Sequence, residues 1–374
     1  MPYNGDFIKR HAQAVSMYED VQVIYVVRDL YGDITKDVFI EESVKEGLKE
    51  KLIYYYIPST GLSMINKYLS EKKYRQYFKD AVTDYIEKSG IPSLVHVHVG
   101  MKTGTIACWI KKKYSVPYII SEHWSGFLQE ANEKINELPF YIRLLWKKVI
   151  AGASGFSAVS NYLAGAIKKY FPVQQIKVIP NVVDFSIFHL HLSYQTAPRF
   201  IHISGLSELK NPTDIFNALA IVKKKYPSAI LQVVGPVYKQ LKELVIALQL
   251  ENSIKFYEEM PQQQLSELVR QSLSLILYSS YETFGCVIIE ANACGIPVIV
   301  SDIPVFHETV EEGINGFFVK RNDPEALAER MIAMIKNRSL FNSNAIATKT
   351  ASLYSYETVG KQFSGWYAEI LSKG

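Results

Sequence analysis

The sequence predicts an α/β protein of two domains, each built on a parallel sheet. Its 374 residues exceed one ordinary core, since domains usually hold roughly 100–200 residues. Short apolar runs alternate with segments of helical periodicity along the chain, which is typical of parallel strands joined by helices. A stretch at Val178–Gln195 that contains proline and asparagine interrupts this alternation and is predicted to join the domains.

The predicted strands and helices alternate on both sides of that stretch. Continuous apolar runs suit strands that are buried on both faces of a parallel sheet. The predicted strands are Val21–Val27, Leu94–Val99, Tyr118–Ser121, Gly155–Val159, Phe200–Ile203, Ile230–Val234, Leu273–Tyr278 and Pro297–Val300. The predicted helices are Leu69–Ile86, Thr103–Lys113, Leu138–Ala151, Pro212–Lys224, Gln262–Gln271, Gly285–Cys294 and Pro324–Ile335. The last helix has a clear start signal, because Asp323 can cap it and Pro324 suits its first position.

Composition and charge exclude several classes of protein. With 48% apolar and 21% charged residues, the chain has a globular composition, which excludes extended disorder and fibrous repeats. A net charge of +4 is too small to indicate a nucleic-acid partner. Three cysteines, Cys108, Cys286 and Cys294, give no disulfide framework and favour a reducing compartment. No apolar run approaches a membrane span and no signal peptide opens the sequence, so we expect a cytoplasmic protein.

The segment Ser279–Asp302 carries the strongest chemical signal in the sequence. A predicted strand leads into a short loop, and Gly285 then opens a helix, where free N–H groups bind phosphate well. Glu282 precedes that helix and Glu290 lies eight residues further on. One carboxylate can therefore reach a phosphate-bound sugar, and the other can accept hydrogen bonds from ribose hydroxyls. Without further context, a helix with two surface glutamates is the simpler interpretation.

Together with its surroundings, this segment resembles the E-x7-E signature of family 4 glycosyltransferases, which are retaining enzymes with the GT-B fold. The similarity extends beyond the two glutamates to Phe284-Gly285, Glu290-Ala291, Gly295-Ile296-Pro297-Val298 and Asn315-Gly316-Phe317. Further segments resemble motifs of that family in the same order: Asn4-Gly5-Asp6-Phe7 with Arg10-His11, then Val178 to Asp184, then His202 to Asn211. The similarity therefore covers nearly the whole chain.

The resemblance implies two facing Rossmann-like domains with a cleft between them. Residues 1–185 would form the acceptor-side domain, and residues 186–350 would form the domain that binds the nucleotide sugar. Residues 351–374 would form a C-terminal helix that packs back on the N-terminal domain.

The resemblance also assigns roles to residues of the second domain. Glu290 would bind the ribose hydroxyls, and Glu282 would bind the hydroxyls of the transferred sugar. Lys210 and the backbone N–H groups around Phe284 and Gly285 would neutralise the diphosphate, where negative charge develops as the glycosidic bond breaks. On position alone, Lys210 would be an ordinary surface lysine beside a helix.

Histidines mark the second candidate region, in the first half of the chain. His123 comes just after the strand at Tyr118–Ser121, at the carboxyl end where α/β sheets bind ligands. Since a histidine at this place reaches the donor sugar in the family, we predict a catalytic role for His123; a structural role is the alternative. His96 and His98 alternate with valines, and no third metal ligand is recognisable beside them. We therefore expect them to be structural or cleft-lining, with no metal site.

Two features depart from the family pattern. Many relatives have an arginine where this chain has Gly205, so Lys210 lacks the second cation of the phosphate loop. Gly5 belongs to the glycine loop, which the resemblance makes a substrate contact, but it stands at the extreme N-terminus where the family has a preceding central strand. We therefore expect the first strand of the N-terminal domain to be missing and its sheet to be incomplete.

Motifs of other enzyme classes do not occur in the sequence. There is no D-x-D, so metal-dependent glycosyltransferases of the other main fold have no support. P-loop and G-x-G-x-x-G fingerprints and a G-x-S-x-G elbow are also absent, which argues against P-loop proteins, NAD enzymes and hydrolases of this fold class.

The sequence therefore predicts a retaining, metal-independent glycosyltransferase without a cofactor. It would move a hexose from a UDP- or GDP-sugar to a saccharide or lipid-linked saccharide acceptor in bacterial surface polysaccharide, lipopolysaccharide or capsule synthesis. Clusters such as Lys111-Lys112-Lys113 and Lys147-Lys148 suit peripheral binding to an anionic membrane at its inner face, although solvated helix faces look the same. Two alternatives stay open: a nucleotide-sugar epimerase of the same architecture, and a non-catalytic nucleotide-sugar-binding protein.

Overall fold

The computed structural model describes residues 6–373 except 31, 33, 35–36, 46, 59, 174 and 191–197. The prediction for Gly5 lies outside the described residues. Within the described part of the chain, none of the helices combines the length and the hydropathy needed to cross a membrane.

The N-terminal half alternates helices with short strands. Its elements are α1 (Asp6–Ser16), β1 (Gln22–Arg28), β2 (Val38–Lys45), β3 (Leu48–Tyr55), α2 (Ser63–Ser89), β4 (Val95–His98), α3 (Gly100–Tyr114), β5 (Tyr118–Glu122), α4 (Phe140–Gly152), β6 (Gly155–Ala158), α5 (Asn161–Lys168) and β7 (Lys177–Val178). The strands predicted at Val21–Val27, Leu94–Val99, Tyr118–Ser121 and Gly155–Val159 are confirmed as β1, β4, β5 and β6, with ends that differ by a residue or two.

The strands of this half form two separate sheets. β4, β5, β6 and β7 pair in parallel and in chain order. β1 pairs with β3 in parallel and β3 with β2 in antiparallel register, and no pairing joins β1 to β4 among the residues that the structure describes. The described strands of this half therefore form two sheets rather than one continuous sheet.

The β2–β3 hairpin is an element that the apolar pattern does not predict. β2 has the sequence VFIEESVK and is largely exposed. Charged side chains support it instead, since Lys51 on β3 lies 3.0 Å from Glu42 on β2 and 2.7 Å from Asp84 on α2. A solvated antiparallel ribbon needs no apolar run, so a search for buried strands misses it.

The C-terminal half continues the alternation. Its elements are β8 (Arg199–Ile203), α6 (Pro212–Lys225), β9 (Ile230–Val234), α7 (Lys239–Ala247), β10 (Ile254–Tyr257), α8 (Gln262–Arg270), β11 (Ser274–Leu277), α9 (Cys286–Ala293), β12 (Val298–Ser301), β13 (Gly316–Val319), α10 (Pro324–Asn337), α11 (Ser343–Tyr354) and α12 (Tyr356–Leu371). The predicted cap of α10 is confirmed, because the Asp323 carboxylate accepts a hydrogen bond from the backbone N–H of Ala326 at 2.9 Å.

The strand order of the C-terminal sheet fixes where a ligand can bind. The order is β10-β9-β8-β11-β12-β13, and every pair is parallel. This is the doubly wound Rossmann order, in which the direction of winding reverses between the first strand, β8, and the fourth, β11. Ligands of such sheets bind outside the carboxyl ends of the strands at that switch point. Lys210 follows β8 and Glu282 follows β11, so both lie at this place.

The final helix packs on the first one. Val359, Phe363 and Trp366 of α12 share a buried apolar cluster with Ala14 of α1 and Ile119 of β5. Gly360 lies at the contact, where a Cβ atom would collide with the backbone carbonyl of Ala14. α1 is therefore held in place by the last helix of the chain.

We predict that Gly360→Ala lowers the free energy of unfolding by about 1–3 kcal/mol, because the added methyl group forces α1 and α12 apart. Gly365→Ala in the same helix is the matched control, since a Cβ there meets no atom within 4 Å. It should stabilise by up to about 1 kcal/mol through helix propensity. Urea unfolding of both variants measures the difference, and equal effects would contradict the close approach at Gly360.

Candidate active site

The candidate site lies where the two halves of the chain meet at the carboxyl ends of their parallel strands. Ser160, which caps the start of α5 after β6, donates a hydrogen bond to the carbonyl of Thr283 at 2.7 Å. Arg10 of α1 reaches Glu290 of α9, with 2.8 Å between Nη1 and Oε1. The loop after β11 and the start of α9 therefore border the cleft between the halves.

The start of α9 offers backbone donors to a ligand. Gly285 precedes the helix at φ +91°, a conformation that favours glycine. A Cβ on Gly285 would lie 2.9 Å from the ring of Phe306 and 3.1 Å from Ile288, so no side chain fits. The Phe284 ring is buried in the core, which leaves the backbone of the loop to face the cleft. The N–H of Ile288 donates to the carbonyl of Gly285 at 3.0 Å. The N–H groups that precede it lie at the positive end of the helix dipole, so they suit an anion.

Lys210 and Glu282 form an ion pair across the switch point. The Nζ atom of Lys210 contacts Oε1 of Glu282, and Ser279 Oγ donates to the same oxygen at 2.9 Å. Both charged side chains are largely buried, with 20% and 16% of their surfaces exposed. The predicted phosphate-binding cation and the predicted sugar-binding carboxylate therefore lie side by side.

Glu290 is buried and is paired with an arginine from the other half of the chain. Burial raises the pKa of the Glu290 carboxyl, and the charge of Arg10 and its hydrogen bond oppose that rise. Arg10 is itself buried, lies 2.7 Å from Asp6 through Nε and donates to the carbonyl of Val182 at 3.2 Å. Sequence reasoning quoted Arg10 within a motif but gave it no role. Its charge beside a buried acidic residue is visible only in the fold, because 280 positions separate Arg10 from Glu290.

His123 lies in the N-terminal half of the chain, within a group of aromatic and imidazole rings. Its Nε2 atom lies 3.3 Å from Nδ1 of His98, and its ring centroid lies 4.6 Å from that of Phe7 and 5.5 Å from that of His11. Burial lowers the pKa of His11 to about 4 and that of His96 to about 3, and it holds the pKa values of His98 and His123 well below the ordinary value. All four rings are therefore neutral at physiological pH.

His96 and His98 differ in a way that the sequence does not reveal. Both ring nitrogens of His96 are occupied, one by the Tyr367 hydroxyl at 2.6 Å and the other by Ser121 Oγ at 2.7 Å, which agrees with a structural role. His98 instead has His11 and His123 as neighbours, and one ring nitrogen from each of the three lies within 4.8 Å of the others. His11 and His123 therefore accompany His98 in space, although no such neighbours are recognisable in the sequence. The partners are distant in sequence, because they come from α1 and from the end of β5.

Glu122 fixes the backbone beside His123. Its buried carboxylate accepts hydrogen bonds from the N–H of Gly100 at 2.6 Å, of His123 at 3.2 Å and of Trp124 at 3.4 Å. Burial raises the pKa of Glu122 to about 7, and those hydrogen bonds oppose the rise. Sequence reasoning missed this residue, although a charged side chain directly after the buried strand predicted at Tyr118–Ser121 is a signal for it.

Comparisons with known proteins identify the family of the chain. The model described as Glycosyl transferases group 1 matches residues 186–351, and the model described as Glycosyltransferase Family 4 matches residues 63–187. The chain belongs to the family 4 type of glycosyltransferases. Its two Rossmann-like domains have the GT-B fold.

Relatives of this glycosyltransferase are distant in sequence but similar in fold. An uncharacterized glycosyltransferase of Methanocaldococcus jannaschii is 24% identical over 82% of this chain and 82% of its own length. The O-antigen chain mannosyltransferase of Salmonella typhimurium is 26% identical over 61% of this chain and 64% of its own length. The structure of Anabaena HepE in complex with UDP and glucose superposes with a TM-score of 0.73 at 16% identity, covering 98% of this chain and 96% of that one.

In this family 4 glycosyltransferase, the loop after β8 that is predicted to bind phosphate lacks the expected second cation at Gly205. At Gly205 a Cβ would meet open space, so the backbone does not require glycine there. Another cation reaches the neighbouring loop, because Arg321 Nη1 donates to the carbonyl of Ser280 at 2.9 Å. The N–H of Ser280 in turn donates to the carbonyl of Leu209 at 2.8 Å, beside Lys210. Arg321 follows β13, too far along the chain to be assigned to this loop from sequence.

We predict that Arg10→Met lowers the free energy of unfolding by about 3–5 kcal/mol, because it leaves Glu290 buried without its cation. The double variant Arg10→Met/Glu290→Met should recover most of that loss, since it removes both charges and keeps similar volume. Arg75→Met is the control, because Arg75 pairs with Glu71 on the exposed surface, where such pairs contribute about 0–1 kcal/mol. A double-mutant cycle by denaturant unfolding tests this, and additive losses would argue against a coupled pair.

Proposed function

We propose that the chain is a retaining glycosyltransferase that moves a sugar from a UDP- or GDP-sugar to a hydroxyl group of a saccharide or lipid-linked saccharide. The meeting of Lys210 and Glu282 at the switch point, beside the free N–H groups that open α9, carries this proposal. It supplies a cation and a helix dipole for a diphosphate next to a carboxylate for sugar hydroxyls.

When the diphosphate binds, Lys210 pairs with the diphosphate instead of with Glu282. Lys210 and the start of α9 then face the negative charge that develops on the leaving group as the glycosidic bond breaks. Glu282, freed from its cation, accepts hydrogen bonds from hydroxyl groups of the sugar. Because these groups already neutralise the leaving diphosphate, the transfer needs no metal cofactor.

Glu290 binds the ribose while it remains paired with Arg10. The arginine contacts Oε1 of the carboxylate, which leaves Oε2 to accept hydrogen bonds from the ribose hydroxyls. The ion pair keeps Glu290 charged in a buried place, and a charged carboxylate is the stronger acceptor. UDP is the first nucleotide to test, since Anabaena HepE, which shares the fold, was solved with UDP.

The anomeric configuration is retained because the acceptor hydroxyl attacks the sugar on the face from which the diphosphate departs. A glycosidase retains configuration through a carboxylate nucleophile about 5 Å from an acid. In this chain the Ser279 hydroxyl donates a hydrogen bond to the Glu282 carboxylate at 2.9 Å, so we assign Glu282 to positioning the sugar. The leaving phosphate oxygen helps to take the acceptor proton. His123 approaches the sugar from the N-terminal domain with a neutral ring.

The acceptor side carries a surface suited to an anionic membrane. Lys147 and Lys148 are exposed on α4, together with Phe140 and Tyr141, whose exposed fractions are 67% and 63%. Lys111–Lys113 are exposed at the end of the neighbouring α3. Cations with interfacial aromatic side chains suit peripheral binding. A lipid-linked saccharide acceptor fits this surface, and the Salmonella relative is named as an O-antigen chain mannosyltransferase.

We predict that Glu282→Gln lowers the turnover number of sugar transfer by roughly 100-fold or more, because the neutral amide holds the sugar hydroxyls less strongly in the transition state. The nucleotide affinity should stay measurable by calorimetry, since the diphosphate and ribose contacts persist. Glu251→Gln, at an exposed turn, is the matched control.

Assays with UDP- and GDP-sugars, which also follow slow donor hydrolysis, test the function. An active wild type with an equally active Glu282→Gln would remove Glu282 from the site, and a wild type that binds donors but shows neither reaction would contradict the transferase proposal.

We predict that the protein binds vesicles containing phosphatidylglycerol at low salt and dissociates at high salt. Lys147→Glu/Lys148→Glu should weaken binding at least about tenfold, since each cation near such a surface contributes about 1 kcal/mol. Lys224→Glu/Lys225→Glu, exposed on the other domain, is the matched control. Vesicle sedimentation measures both, and binding that is insensitive to salt or to the α4 variant would exclude this surface.

A further inference from the structure

We propose that His11, His98 and His123 form a binding site for one divalent transition-metal ion of the zinc class. One ring nitrogen from each histidine lies within 4.8 Å of the other two. Three imidazole ligands suit zinc, copper or nickel better than magnesium or calcium, which prefer oxygen. The proposal goes beyond sugar transfer and does not depend on it.

The strongest evidence for the site comes from His11, because its Nδ1 atom is buried and has no hydrogen-bond partner among the residues that the structure describes. Its Nε2 atom lies 3.0 Å from the carbonyl oxygen of Pro180. A carbonyl oxygen only accepts hydrogen bonds, so Nε2 holds the proton and Nδ1 presents a lone pair. Nδ1 is buried and has no hydrogen-bond partner in the described part of the chain. A buried lone pair without a donor is costly, and a bound cation would satisfy it.

The hydrogen bond from His11 to Pro180 is also what a metal ligand requires. Metal-binding histidines usually donate their second N–H to a carbonyl or a carboxylate, which fixes the tautomer and orients the ring. Pro180 is therefore placed to act as the outer partner of a ligand. The aromatic ring of Phe363 packs against His11 at 5.0 Å between centroids and holds its plane.

The spacing of His98 and His123 fits tetrahedral coordination. With Zn–N bonds of about 2.0–2.1 Å, two ligand nitrogens of a tetrahedral site lie about 3.3 Å apart. His98 Nδ1 and His123 Nε2 are 3.3 Å apart. The His11 nitrogen lies within 4.8 Å of both of these atoms, so the His11 ring has to move closer to complete a tetrahedral site. Both His98 and His123 are only partly buried, so the cation can enter from the cleft.

A bound ion would connect three elements of the N-terminal half. His11 lies on α1, His98 ends β4 and His123 follows β5. His96 stacks on His98 at 4.2 Å between centroids, but hydrogen bonds to Tyr367 and Ser121 occupy both of its nitrogens. His96 therefore belongs to the same cluster without being a ligand, which makes it a matched control. The ion and the donor sugar compete for His123, so binding is measured without donor.

The test is a titration of the untagged, chelator-treated full chain with Zn²⁺ and with Co²⁺. We expect one tightly bound equivalent of Zn²⁺, a visible Co²⁺ absorption of the tetrahedral type that Zn²⁺ abolishes, and a higher thermal midpoint in Zn²⁺. His98→Gln and His123→Gln should each weaken Zn²⁺ binding at least tenfold and lose the Co²⁺ signal. His96→Gln and His307→Gln, the latter at an exposed residue, should keep both.

Two outcomes would overturn the proposal. One is a wild-type protein that binds no more Zn²⁺ than the His98→Gln/His123→Gln variant. The other is a loss of binding in His96→Gln as large as that in His98→Gln, since His96 offers no free nitrogen. Circular dichroism shows whether each variant is folded, and His11→Asn is added where it folds. None of these measurements involves sugar transfer, so a failure to bind metal would not contradict the transferase proposal. Conversely, the metal site can be tested even if the protein shows no transferase activity.

Discussion

The buried ion pair between Arg10 and Glu290 is the interaction on which the cleft depends. Taking two charges out of water costs several kcal/mol per ion, and their attraction offsets this only with good geometry and further hydrogen bonds. Arg10 has these, since Asp6 and the carbonyl of Val182 share its remaining donors and the ring of Phe188 lies against its guanidinium. The pair thereby holds α1 of one domain against α9 of the other.

A second ion pair, between Lys210 and Glu282, lies where we propose that the anionic diphosphate binds. Lys210 and Glu282 neutralise each other in a largely buried place, where an unpaired charge would be costly. In the proposed reaction, a diphosphate replaces the carboxylate beside Lys210, and Glu282 then receives hydroxyl donors instead of the cation. In this proposal, Lys210 and Glu282 each have a partner both in the free protein and with the donor bound. Neither side chain has to be buried as an unpaired charge in order to bind a charged ligand.

The sequence predicts best what is local or repeated along the chain. The cap at Asp323, the glycine that opens α9 and the apolar strands all follow from neighbouring residues, and the structure confirms them. The positions of Lys210 and Glu282 follow from strand order, because parallel strands bring their carboxyl ends together. The β2–β3 ribbon was missed because charges stabilise it, and those charges resemble an ordinary surface.

What the sequence cannot predict is pairing across long separations. Arg10 and Glu290 lie in different domains, and the ring neighbours of His98 come from α1 and from the end of β5. Their partners depend on how the domains and sheets pack, which no local pattern encodes. The resemblance to a family assigns roles to Glu282 and Glu290, but it assigns none to Arg10, His11 or Glu122.

The position of α1 links these parts physically. Successive residues of this helix serve different groups, since Arg10 holds Glu290 and His11 faces the rings of His98 and His123. α12 packs against the same side of α1, through the close approach of Gly360 to Ala14 and the contact of Phe363 with the His11 ring. A shift of α1 would therefore move the carboxylate proposed for ribose and the histidine proposed for the sugar together. The last helix of the chain therefore helps to shape the cleft, both by holding α1 and through the hydrogen bond between Tyr367 and His96.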